Sequence, residues 1–121
     1  MKLVPFLSFL NQVKIYHWQT FSYAEHKALN KAYKNLDNLF DLFVETYYGK
    51  YGKTLESKIY HFEVNSLTED TDIKKVLSNK KRELITYLRE LLVGNDEDLL
   101  NIVADIEIEI NHLQYFLDLK K

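Results

Sequence analysis

Apolar side chains recur every three or four positions along four stretches of the chain, the spacing that places them on one face of an α-helix. The first stretch predicts a helix from about Leu3 to Gln19, with Pro5 tolerable in its opening turn. Its apolar side consists of Leu3, Phe6, Leu7, Leu10 and Val13. His17 falls on the same side, so we expect its imidazole to face the core.

A second helix is predicted to begin at Ser22 and to reach about Gly49. Ser22 followed by Glu25 is the pattern of a capping box, which marks a helix N-terminus. The core stripe of this helix is Leu29, Ala32, Leu36, Leu39, Phe43 and Tyr47. A neighbouring stripe combines imidazole, amide, aromatic and acidic groups, and its members are His26, Asn30, Tyr33, Asp37, Asp41 and Glu45. This second stripe supplies the candidate ligands.

Two further helices are predicted in the second half of the chain. The third begins in the acidic cluster at 68–72, which suits a helix N-terminus, and ends at Gly94. Its core positions are Ile73, Val76, Leu77, Leu84, Leu88, Leu91 and Leu92. The fourth is capped by Asn95 or Asp96 and runs to Lys120 and Lys121. Its core positions are Leu99, Ile102, Val103, Ile106, Ile110, Leu113 and Leu117.

The connections between these helices predict the topology. Between Gly49 and Leu67 the helical period is lost, which indicates a crossover with room for one short helical turn at 59–62. The first and third connections are short. Short, long and short connections predict an all-α, ferritin-like four-helix bundle with one long crossover connection. We expect a single domain over residues 1–121.

The composition narrows the chemistry that this bundle can carry. The chain has no cysteine, which excludes disulfides and thiolate metal sites and leaves His, Asp and Glu as the strong metal ligands. With 16 Lys and Arg against 18 Asp and Glu, no net positive field attracts nucleic acid or anionic lipid. No apolar stretch approaches the roughly 20 residues of a membrane span, so we expect a cytoplasmic protein without a membrane partner.

The spacing of His26, Asp41 and Glu45 predicts a site shared between two subunits. Fifteen helical residues place His26 roughly 22 Å from Asp41 but only about 60° away around the helix axis. One metal ion cannot bind both within one chain. Two such helices packed antiparallel about a two-fold axis would bring His26 of one subunit against the acids of the other. His17 lies near His26 across a short turn, and the resulting nitrogen and oxygen ligands suit Fe(II).

These residues resemble the mini-ferritin motif of the Dps-like proteins. The matching positions are Tyr16-His17-Trp18 at a helix end, followed by His26, Tyr33, Leu36, Asp37, Asp41, Glu45 and Gly49. The resemblance is dense over residues 16–49, and the rest follows in helix order and in the opening of the last helix, Gly94…Asp98-Leu99-Leu100.

The resemblance implies a ferroxidase, an enzyme that binds and oxidises Fe(II) at an intersubunit di-iron site. In that family, twelve subunits form a hollow shell that stores the ferric product. The implied catalytic and metal-binding residues are His17 and His26 from one subunit and Asp41 and Glu45 from the other, with Glu45 bridging two irons. Trp18 would lie beside the site as an electron donor. The expected partner is a second copy, with a two-fold dimer as the minimal unit and a dodecameric shell as the larger assembly.

Three alternatives stay open. Asn30 stands where the family usually has an acid, which favours a ferritin-fold assembly or binding module without ferroxidase activity. The segment Glu109-Ile110-Asn111-His112 has the Glu-x-x-His spacing of larger di-iron bundles and predicts an internal site in a monomer. Zinc or another divalent metal is the alternative to iron. The lysine-rich arm with which some members bind DNA is absent, so no DNA-binding tail is expected.

Overall fold

The structure is a computed structural model that describes residues 1–119. Over those residues the chain forms four α-helices and no strand, which confirms the prediction of an all-α, four-helix bundle. Helix α1 is Val4–Gln19, α2 is Tyr23–Tyr51, α3 is Ile73–Leu91 and α4 is Glu97–Asp118. The predicted end of the last helix at Lys120 and Lys121 lies outside the described residues. None of the helices in the described part is both long and apolar enough to cross a lipid bilayer.

The helix starts follow the local chemistry of the sequence. Pro5 lies in the first turn of α1, where its missing N–H removes no intrahelical hydrogen bond. The Ser22 hydroxyl accepts a hydrogen bond from the Glu25 backbone N–H at 3.2 Å and so caps α2 as predicted. The Asp72 side chain caps α3 in the same way, through the backbone N–H of Lys75. These caps satisfy donors that a helix N-terminus would otherwise leave unpaired.

The predicted helix ends require corrections. Helix α2 continues past Gly49 to Tyr51 and ends at Gly52, whose φ of 91° is readily adopted only by glycine. Lys50 and Tyr51 favour the extra turn because both side chains contact Asp96 at the start of α4. Helix α3 ends at Leu91 rather than at Gly94. Leu92, the first residue beyond the helix, has extended backbone and its side chain is still buried in the core.

The crossover segment contains no helical turn at 59–62, where Ile59 and Phe62 are exposed instead of packed. Residues 52–72 instead run beside α1 and bond to it at several levels. The Leu3 backbone N–H donates to Glu56, Gln12 pairs with the backbone of Asn65, and the Leu67 N–H donates to Gln19. These bonds occur near the beginning, middle and end of α1, so the segment follows its whole length.

One hydrophobic core joins all four helices. Helix α1 packs on α2 and α3, and α4 packs on the same two helices from the other side. The predicted core positions of α2 are confirmed at Leu29, Ala32, Leu36 and Phe43, whereas Leu39 and Tyr47 are half-buried at the core edge. The largest fully buried side chains are Tyr16, Phe9, Phe43, Leu29, Leu36, Leu77, Leu84, Leu88, Leu99, Ile106, Ile110 and Leu113. This core fixes the α1–α2 face that carries the candidate ligands.

Candidate metal centre

Two imidazoles meet where α1 ends and α2 begins. His17 is buried in the last turn of α1 and His26 is exposed in the first turn of α2, and the short turn at 20–22 folds one helix onto the other. Their Nε2 atoms lie 3.2 Å apart and their ring centroids 4.1 Å apart. The predictions that His17 faces inward and lies close to His26 are confirmed.

A backbone hydrogen bond orients the His26 ring. His26 Nδ1 lies 2.8 Å from the carbonyl oxygen of His17, so Nδ1 carries the proton that this contact requires. The neutral ring then presents an unprotonated Nε2, the form in which imidazole binds metal. A carbonyl that holds the remote ring nitrogen is also the usual support of a metal-binding histidine.

The surroundings of His17 favour its neutral form. Burial lowers the pKa of His17, and the neighbouring His26 and Lys14 lower it further because a second positive charge there is repelled. His17 Nδ1 is buried and has no hydrogen-bond partner among the described residues. The ring is therefore held by packing, and its Nε2 faces the Nε2 of His26.

The distance between the two Nε2 atoms is compatible with one shared metal ion. Two imidazoles bound at about 2.0–2.1 Å and at an angle of about 90–110° have nitrogens roughly 2.9–3.4 Å apart. The observed 3.2 Å falls within this range. Without a metal, the same contact is an N–H···N hydrogen bond, provided His17 carries its proton on Nε2. The 3.2 Å spacing therefore fits both a shared metal ion and a direct hydrogen bond between the two rings.

The predicted carboxylates lie at the other end of the same face. Asp41 and Glu45 are exposed on α2 and line a groove of about 190 Å³ between α1 and α2. The remaining groove residues are Leu3, Phe6, Leu7, Leu10, Asp37, Phe40 and Val44. The structure therefore brings His17 and His26 together and leaves Asp41 and Glu45 apart from them. Over the part of the chain that is described, no group of three or more His, Asp and Glu side chains could hold a metal ion.

Lys14 contacts two aromatic rings on this face. The Lys14 ammonium lies 4.4 Å from the ring centroid of Tyr33 and 5.2 Å from that of Trp18, in the range of cation–π attraction. Trp18 is 68% exposed, and Asn30 is half-buried on the same side of α2. The sequence interpretation did not include Lys14, although its position four residues before Trp18 on a helix could have indicated the contact.

The alternative Glu-x-x-His pair does not form an internal site. His112 is exposed and its ring contacts Phe116, while the Glu109 carboxylate accepts a hydrogen bond from Asn35 at 2.9 Å. A cleft of about 1110 Å³ lies at the end of the bundle beside Phe21 and Glu25, and neither His17 nor His26 lines it. The Thr20 hydroxyl donates to Glu25 in that cleft at 2.7 Å, an arrangement that closes the turn between α1 and α2.

Comparison with known proteins identifies a family. Residues 17–117 match a family of unknown function, DUF5856, so the chain belongs to that family. The matched range includes His17, His26, Asp41 and Glu45. No curated protein and no solved structure matches the chain. The family gives no function, so a functional assignment depends on the geometry of the α1–α2 face.

Proposed function

We propose that the chain is a Dps-like mini-ferritin that binds Fe(II) between two subunits and oxidises it for storage or detoxification. The observation that carries this proposal is the His17–His26 pair, with Nε2 atoms 3.2 Å apart and His26 held by the His17 carbonyl. An imidazole pair at ligand spacing on a helix end needs carboxylates to complete an iron site. Asp41 and Glu45 supply them from a second copy.

Each residue has a defined task in this proposal. His17 and His26 bind the Fe(II) substrate from one subunit, and the lowered pKa of His17 keeps its ring neutral for that purpose. Asp41 and Glu45 of the partner subunit bring negative charge, which favours the ferric product over the ferrous substrate. Trp18 lies beside the site as an electron donor. The oxidant is dioxygen or peroxide, which receives the electrons from iron.

The arrangement of the helices supports the ferritin-like part of the proposal. Helices α1 and α4 each pack on both α2 and α3, and residues 52–72 follow α1 from the level of Leu3 to that of Gln19. A segment that joins opposite ends of a bundle in this way makes α2 and α3 parallel, as a ferritin-like crossover requires. The same face can then form the dimer that a shell of twelve subunits would repeat.

Ferrous oxidation tests the proposed ligands. Wild-type protein is mixed anaerobically with Fe(II), air is admitted, and ferric absorbance is recorded. Glu45→Ala should slow oxidation by at least about tenfold, because even supporting residues of metal sites change affinity or activity by 10–100-fold. Glu109→Ala is the matched control and should oxidise iron like the wild type. Equal rates in the wild type and Glu45→Ala would contradict the proposal.

Subunit mixing tests whether the site is shared. His26→Ala and Glu45→Ala each inactivate both sites of their own homodimer, but a mixed dimer contains one intact pair of halves. Random mixing should therefore restore about a quarter of the wild-type sites, since half of the dimers are mixed and each has one good site. An inactive mixture of folded, mixed dimers would contradict an intersubunit site.

A second candidate function is an assembly or binding module without ferroxidase activity. The observation that favours it is Asn30, a neutral residue that is half-buried on the ligand-bearing side of α2. An amide oxygen can bind metal but adds no negative charge to balance Fe(III). In this case the protein assembles through the same face, and neither Glu45→Ala nor His26→Ala changes the background rate of iron oxidation.

A further inference from the structure

Trp18 is the single tryptophan of the chain, and 68% of its surface is exposed. It lies on one stripe of α1 with Leu3, Leu7 and Lys14, because these positions are separated by 4, 7 and 4 residues. Leu3 and Leu7 line the groove between α1 and α2. A large exposed indole and an apolar groove therefore lie on the same face, at its two ends.

We propose that Trp18 inserts into this groove on a second copy of the chain and anchors a two-fold dimer. This inference rests on the subunit pairing of the proposed function but not on its iron chemistry. The groove of about 190 Å³ is smaller than the roughly 300–1,000 Å³ of typical small-molecule pockets, so its size suits one large side chain. Tryptophan is also among the residues that most often dominate the affinity of an interface.

The distances along α2 support this pairing. The contact between His17 and His26 places Trp18 level with about residue 25 of α2, and Asp41 marks the middle of the α2 side of the groove. Sixteen helical residues separate those levels by roughly 24 Å. His26 and Asp41 are separated by roughly 22 Å on the same helix. One two-fold axis near residue 33 of α2 therefore places Trp18 in the groove and His26 beside Asp41 of the partner subunit.

The charges of the face are complementary under the same axis. The Trp18 end carries Lys14, whose ammonium has aromatic neighbours but no carboxylate in contact among the described ion pairs. The groove end carries the carboxylates of Asp37, Asp41 and Glu45. Antiparallel pairing places Lys14 close to Asp37 of the partner subunit, twice per dimer. Parallel pairing would place like charges together, which is unfavourable.

Fluorescence of the single tryptophan tests the inference without any substitution. The full chain is diluted through its dissociation range, with size followed by sedimentation and Trp18 accessibility by acrylamide quenching. In the assembled protein, quenching should decrease and emission should shift to the blue, because the indole has left water. An assembly in which Trp18 remains as accessible as in the monomer would overturn the inference.

Two pairs of variants test the anchor and the groove separately. Trp18→Ala should raise the Kd of the dimer by at least about 30-fold, because truncation of a residue that dominates an interface costs at least that factor in affinity. Phe21→Ala, which removes another exposed aromatic from the same turn, should leave assembly unchanged. Leu7→Asp fills the groove with charge and should keep Trp18 exposed, whereas Leu42→Asp, on α2 outside the groove, should behave like the wild type. Equal weakening within either pair would overturn the inference.

The outcomes also separate this inference from the proposed function. A Trp18-anchored dimer that does not oxidise iron would support the inference and remove the ferroxidase. A dimer that oxidises iron while Trp18 stays fully accessible would support the ferroxidase and overturn the inference. A monomer at every concentration would overturn both, because each needs a second copy.

Discussion

Gln12 is the buried polar residue whose loss should most clearly weaken the connection between α2 and α3. Its side chain is fully buried on α1, and it forms two hydrogen bonds with the backbone of Asn65. Gln12 Nε2 donates to the Asn65 carbonyl and Gln12 Oε1 accepts from the Asn65 N–H, both at 2.8 Å. We predict that Gln12→Met, which keeps the length of the side chain, destabilises the protein by removing both bonds.

The size of the effect follows from this geometry. Each hydrogen bond contributes about 1 kcal/mol net, and water can partly replace the lost partner because Asn65 is exposed. The free energy of unfolding should therefore fall by about 1–2 kcal/mol. With a urea m-value of about 2 kcal/mol/M, the midpoint of unfolding should fall by about 0.5–1 M.

Urea unfolding, followed by circular dichroism, checks the prediction. Gln19→Met is the matched control, since Gln19 also bonds to this connection, at Leu67 and Ser66, but is exposed. The free energy of unfolding of this variant should differ from that of the wild type by less than about 0.5 kcal/mol, because water readily replaces a surface hydrogen bond. A Gln12→Met midpoint equal to that of the wild type or of Gln19→Met would show that the paired bonds do not hold the connection.

Two further predictions concern buried groups of α1. Tyr16→Phe should raise the free energy of unfolding by about 1 kcal/mol, since its fully buried hydroxyl has no partner among the described residues; a loss of stability in thermal unfolding would contradict this. The lowered pKa of His17 means that the unfolded chain takes up its proton first on acidification, so stability should fall as pH decreases from about 6.5 towards the folded-state pKa. His17→Gln should flatten this part of the pH profile, and a profile as steep as that of the wild type would contradict the prediction.

Periodicity predicted the helices well because burial of an apolar face determines where they form. Leu29, Leu36 and Phe43 are spaced by seven residues and all are fully buried. The cap of α2 was equally readable, since Ser22 needs only a backbone N–H group that follows it, whereas Asp96 at the start of α4 bonds to Lys50 and Tyr51 and forms no capping bond. Both signals are local, and both are visible in the order of residues alone.

The helix ends were less predictable because distant residues decide them. Gly49 has a low helix propensity, but α2 continues because Lys50 and Tyr51 bind Asp96, which is more than 40 positions away in the chain. The hydrogen bonds from Lys50 and Tyr51 also lower the pKa of Asp96, so the carboxylate stays charged although its side chain is only 3% exposed. The hydrogen bonds of Gln12 could not be predicted for the same reason, since its partner Asn65 is distant in the chain and lies in a segment without periodicity.

The candidate site was predictable only in part, because the proposed ligands lie at two ends of one face within a single chain. His17 and His26 are joined by a short turn, so the sequence could place them together within one chain. Asp41 and Glu45 lie on the same face but at the far end, and no fold of one subunit can bring a straight helix back on itself. In the dimer that we propose, pairing of two copies would bring these groups together and would complete two sites per dimer. Metal bound at each site at 100 times its Kd would stabilise the dimer by about 2.7 kcal/mol per site, so iron binding and assembly would reinforce one another.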